Sequence, residues 1–96
     1  MSFESIHNYY EQRVLEALLA GPEGLQSSDD DYLSDIACVA LNQLPARYVR
    51  HNVDLIFYMT PEERERMDED VARAVRTAID YVNQHRDDER PQTISV

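Results

Sequence analysis

The residues best equipped for chemistry are scattered along this chain, with one exception. Cys38 is its single cysteine. It lies mid-helix among apolar neighbours with no histidine three or four positions away to hold a thiolate, so it reads as a buried structural residue rather than a nucleophile. His7, His51 and His85 fall on separate elements, and no CxxC or HExxH spacing joins them into a metal set. The run Asp29-Asp30-Asp31 lacks the glycine and distal glutamate of a calcium loop and reads as a solvated helix cap. Both glycines lie at positions 21 to 24, which leaves no glycine-rich phosphate loop. A hydrolase using Asp35 or the Glu62, Glu63 and Glu65 cluster would lack a recognisable partner base or metal set.

The exception is the stretch between Asp35 and Asp54, which contains no carboxylate although the chain is strongly acidic. Arg47, Arg50 and His51 cluster there beside Tyr48. A guanidinium can fork onto a phosphate and stack on a base, and a tyrosine ring offers a second stacking face. Such a set suits a compact anionic nucleotide better than a polymer, whose many phosphates would meet the surrounding carboxylates. The competing structural reading packs Tyr48 on the core and pairs the arginines with helix acids. A second acid-free stretch, Val71 to Ile79, carries Arg73 and Arg76.

Three helical periods must position these groups. Phe3, Ile6, Tyr10, Val14, Ala17 and Leu18 recur at helical spacing, with Glu4, Asn8, Glu11 and Glu16 opposite, predicting a helix from Phe3 to Ala20. Ser2 is its expected N-cap, and Gly21-Pro22 stops it. Capping oxygens in Ser27 to Asp31 then start a second helix, Tyr32 to Leu44. Its Leu33, Ile36, Ala37, Ala40, Leu41 and Leu44 leave little polar surface, so it is expected to be the central, most buried helix. Pro45 ends it. Ala46 to Met59 has no helical period but is rich in β-branched and aromatic residues, predicting an extended connector with at most one short strand. Thr60-Pro61-Glu62-Glu63 combines an N-cap, a proline at the first helical position and a capping-box glutamate, starting a long helix to about His85. Its apolar residues Met67, Val71, Ala74, Val75, Ala78 and Val82, widened by Ala72 and Ile79, form a stripe broader than one neighbour would cover. That width suggests a second copy of the chain across a two-fold axis.

Ninety-six residues, 43% of them hydrophobic, allow one domain with one modest core. The balance of 19 acidic to 9 basic residues gives a formal charge of -10, which repels nucleic-acid polymers and anionic membranes. No apolar run approaches a membrane span, and Met1 to Tyr10 lacks the regions of a signal peptide, so the expected compartment is the cytoplasm.

The run Asp35-Ile36-Ala37-Cys38-Val39-Ala40-Leu41-Asn42-Gln43-Leu44-Pro45-Ala46-Arg47-Tyr48-Val49 resembles the signature of the ComFB family of late competence proteins, in which an aspartate-led helix reads into LNxLPPxY. Asn8-Tyr9 and Val14 resemble that family's N-terminal pattern. The resemblance covers roughly residues 6 to 85, its central fifteen being the specific part. It implies an all-α domain of three main helices with an extended connector, forming a homodimer. The domain is expected to span residues 1–86, and the polar composition and Pro91 of the end of the chain predict a disordered tail at 87–96. The resemblance further implies a receptor, not an enzyme, that binds cyclic di-GMP or cyclic di-AMP and affects motility, pili or competence, with a protein effector as a further partner. Combined with the acid-free stretch, this assigns the ligand's phosphates to Arg47 and Arg50 and base stacking to Tyr48. Asn42 would orient the turn or contact a base edge, with His51 beside them. Some members carry a cysteine zinc site before the signature helix where this chain has Ser27, Ser28 and Asp29 to Asp31, so no metal or cofactor is expected. Ala46 stands where a second proline is common, which is expected to loosen the turn that aims Arg47 and Tyr48. The alternative is an accessory protein that binds no ligand and docks on a larger partner through its acidic surface.

Overall fold

Asn8 decides where the first helix begins. Its backbone is extended, and its side-chain oxygen accepts from the Tyr10 N–H, satisfying one of the amide groups that a helix start leaves unpaired. The computed structural model describes residues 5–51, 55 and 57–94, with side chains through residue 86. In it the order is β1 (His7–Asn8), α1 (Tyr9–Leu19), α2 (Asp30–Asn42), β2 (Tyr48–Val49) and α3 (Pro61–Ile94).

Helix α1 thus starts later than its apolar period predicts. Residues His7 and Asn8 are taken up by an antiparallel ladder with β2, pairing His7 with Val49 and Asn8 with Tyr48. Ile6, expected on the buried face, is accordingly exposed. Phe3 and the expected cap Ser2 lie outside the described residues. At the other end the prediction holds: Gly21 adopts a positive φ of 72° and its N–H donates to the Leu18 carbonyl.

Helix α2 is capped as its sequence indicates. The Asp29 carboxylate accepts from the Asp31 N–H, while the Ser27 hydroxyl accepts from the Asp29 N–H. The helix is not the most buried one, however. Tyr32, Ile36 and Ala40 are buried, as is Leu44 just beyond its end, but Ser34, Asp35, Cys38 and Asn42 face solvent. Cys38 is therefore exposed, not a core residue. It falls between the buried positions Ile36 and Ala40 on the opposite side of the helical turn.

The central element is α3. Thr60 caps it by accepting from the Glu63 N–H. Val71, Ala74, Val75, Ala78, Ile79 and Val82 are all buried against Tyr10, Val14 and Leu18 of α1 and Tyr32, Ile36, Ala40 and Leu44 on the α2 side. Two helices of the same chain thus cover the stripe, while Ala72, which widened it in the sequence, is exposed. Its breadth carries no argument for a second chain. The helix also runs to Ile94, past the expected end near His85.

Between β2 and α3 the connector departs from the predicted extended form. Leu55, Phe57 and Tyr58 have helical backbone. Leu55 and Met59 are both buried with Tyr9 in a small second core. The β-rich composition of the segment does not decide the backbone at Leu55, Phe57 and Tyr58. Val53, Asp54 and Ile56, which shared the expectation, lie outside the described residues.

Loop 21–29 is fastened to α3 by one polar network. The Tyr32 hydroxyl accepts from the Gln26 N–H and donates to the Asn83 side-chain oxygen, and the Asn83 amide donates to the Gly24 carbonyl at 2.9 Å. Arg13 bridges α1 to Asp68 of α3. Among the described residues no helix is long and apolar enough to cross a membrane.

Candidate functional site

The turn after α2 is held by the N-terminal strand β1. Besides capping α1, the Asn8 side-chain oxygen accepts from the Arg47 N–H at 3.0 Å, and the Arg47 carbonyl accepts from the Tyr9 N–H at 2.7 Å. One amide side chain therefore sets both the start of α1 and the backbone of Arg47. These two bonds tie down the backbone that follows Ala46. Asn8→Ala is expected to cost about 1–2 kcal/mol, seen as a lower thermal midpoint, because it removes a helix cap and unpairs a second amide. Asn8→Asp, which keeps the acceptor, should retain most of the stability.

Arg47 lines a cleft of about 480 Å³ between the α2–β2 turn, α1 and the first turns of α3. Its other walls are Tyr10, Pro45, Ala46, Glu63, Arg66, Met67 and Asp70. Among the described residues the ion pairs are Arg13 with Glu16, Arg13 with Asp68 and Arg73 with Asp70, so neither Arg47 nor Arg66 has a carboxylate partner. Of the two acids in the walls, Asp70 is already engaged by Arg73 at 3.2 Å. The Tyr10 hydroxyl is pushed above its ordinary pKa by burial, then by the nearby Asp70 charge, with Arg47 opposing and Tyr9 adding slightly. It stays a hydrogen-bond donor at neutral pH.

Of the five residues singled out by the acid-free stretch and the family resemblance, the structure brings only Arg47 to this cleft. Tyr48 is 69% exposed on β2 and does not pack on the core, as the competing reading required. Arg50 and His51 follow it on the exposed surface, and Asn42 is the exposed last residue of α2; none of these four is a wall of the cleft. The reserve candidates also separate: Arg73 lines the neighbouring groove beyond Pro45 and Asp70, whereas Arg76 lines a different cleft with Ala17, Pro22, Glu23 and Ala72. Sequence reasoning missed Arg66 and Tyr10. Arg66 stands inside the acidic run Glu62 to Asp70, where local charge hides it, and Tyr10 reads as an ordinary core position of an amphipathic helix.

Chemically, the walls offer two guanidinium groups and a phenol beside the carboxylates of Glu63 and Asp70, of which Asp70 is held by Arg73, but no cysteine, serine or histidine. Such a set can hold an oxyanion by charge-assisted hydrogen bonds. Among the described residues no three histidine, cysteine, aspartate or glutamate side chains converge as a metal site would need.

The model of the late competence development protein ComFB matches residues 7–86, which is most of the chain. The chain belongs to the ComFB family. Membership suggests a competence-related role. The ComFB match takes in both halves of the clamp, Asn8 and the turn at Arg47, together with all the walls of the cleft. No curated protein and no solved structure matches the chain.

Proposed function

We propose that this ComFB-family protein is a receptor for a cyclic dinucleotide, cyclic di-GMP or cyclic di-AMP, and not an enzyme, and that it acts in signalling that affects motility, pili or competence. The observation that carries the reading is the pairing state of Arg47 and Arg66. In a chain of net charge -10, two guanidinium groups share one cleft and neither is neutralised by a carboxylate among the described residues. Leaving two such groups unpaired amid excess acid is what an anionic ligand site requires. The ligand is a small dianion and not a polymer, because the exposed Glu62, Glu65 and Glu69 near the cleft would repel an extended phosphate backbone.

Calorimetry with a panel of cyclic and linear dinucleotides tests this. Binding without turnover supports the receptor, and product formation would make the protein an enzyme. Absence of any binding would favour the accessory reading, which the exposed carboxylates on the first half of α3 support as a docking face. The receptor is proposed to work as a homodimer in the cytoplasm, with a protein effector downstream. Light scattering at micromolar concentration should then give twice the chain mass of 11.2 kDa, and a monomeric mass would remove the dimer.

A further inference from the structure

Tyr10 is only 4% exposed, yet its hydroxyl has no hydrogen-bond partner among the described residues. A buried phenol oxygen without a partner is costly and rare. Tyr32, equally buried, obeys the rule, with its hydroxyl committed to Gln26 and Asn83. Tyr10 escapes it in another way. No side-chain oxygen or nitrogen that is shut off from solvent lacks a partner among the described residues, so the Tyr10 oxygen itself must reach solvent. Tyr10 is a wall of the cleft that also carries Arg47 and Arg66, and its hydroxyl feels the charges of two other walls, Asp70 and Arg47.

We infer that Tyr10 is a ligand-contacting residue, whose hydroxyl donates a hydrogen bond to a phosphate oxygen held between Arg47 and Arg66. This rests on the anion-binding reading above and adds to it a neutral donor at the floor of the site. The ring is fixed in the core between Val14 and the α3 residues, so the hydroxyl is presented with little freedom to lose on binding. Phenylalanine would fill the same core volume. The oxygen therefore contributes nothing to packing that the ring does not, and its role lies in the cleft. Tyr9 provides the contrast: it is buried in the second core and is not a wall of the cleft.

The test uses the full chain with cyclic di-GMP, cyclic di-AMP and inorganic diphosphate as probes. Tyr10→Phe is expected to melt as the parent does and to bind whichever probe the parent binds about tenfold or more weakly, while Tyr9→Phe binds unchanged. A second readout is independent of any variant's folding. The tyrosine titration of the parent, followed by phenolate absorbance, should show one group moving to higher pH when the probe is bound, because an anion beside a phenol opposes its ionisation. In Tyr10→Phe that moving group should be missing. Parent binding with equal affinity in Tyr10→Phe and no displaced titration would overturn this inference and leave the receptor intact. If the parent binds none of the three probes, both fall.

Discussion

Val75→Asp is expected to abolish the cooperative thermal transition of this protein. Val75 is 2% exposed and sits where α1 and α2 both meet α3, among Val14, Leu18, Ile36 and Ile79. Val75 also lines the cleft of Arg76, but with so little of it exposed an aspartate there is still largely withdrawn from water and must be desolvated or protonated. The cost is several kcal/mol, to which the lost valine packing adds about 1–3 kcal/mol. Domains of this size are stable by about 5–15 kcal/mol in total. Circular dichroism on heating is the measurement, and a parent-like melt would show that the three-helix core is wrongly described. Ala72→Asp on the same helix is the control. It is exposed, and its effect should stay at about 1 kcal/mol, from the lower helix propensity of aspartate and its repulsion by Asp68 one turn away. The contrast also separates folding from association: a substitution at Val71 or Val75 breaks the chain's own core and so reports nothing about a dimer.

Arg47→Ala should weaken cyclic dinucleotide binding by roughly tenfold to a hundredfold, since each charge-assisted contact is worth about 1.5–3 kcal/mol. The stability of the variant should be close to the parent's, because the guanidinium makes no ion pair among the described residues and the turn is held by backbone groups. Arg47→Lys should lose affinity as well, because a point charge does not reproduce a planar fork. Arg66→Ala should behave like Arg47→Ala. Arg50→Ala should be silent, as Arg50 lies outside the cleft although the acid-free stretch put it on an equal footing. Calorimetry in low and high salt checks the set, with affinity falling as salt rises. Tight binding by both Arg47→Ala and Arg66→Ala would move the site elsewhere, to the groove of Arg73 first.

What the sequence by itself determined are features whose cause is local. Asp29 and Thr60 cap helices because a short oxygen-bearing side chain before a helical run has one favourable use. Gly21 ends α1 because it alone accepts the positive φ there at no cost. The apolar period of α3 identified its buried face correctly, from Val71 to Val82. The signature run marked the turn bearing Arg47, and with it the family. Tertiary structure decided whatever depends on residues far apart in the chain. Whether the α3 stripe faced another molecule or its own chain turned on where α1 and α2 lie, which periodicity does not encode. Asn8 looked like a polar helix position, and only its reach to Arg47, 39 residues away, revealed a cap that is also a clamp. Leu55 and Met59 found their burial in a second small core with Tyr9, nearly fifty residues away in the chain. The cleft shows the same division. Arg47 stood out against an acid-free background, whereas Arg66 lay among carboxylates and Tyr10 among core residues. They meet only because α1 and the start of α3 converge on the α2–β2 turn.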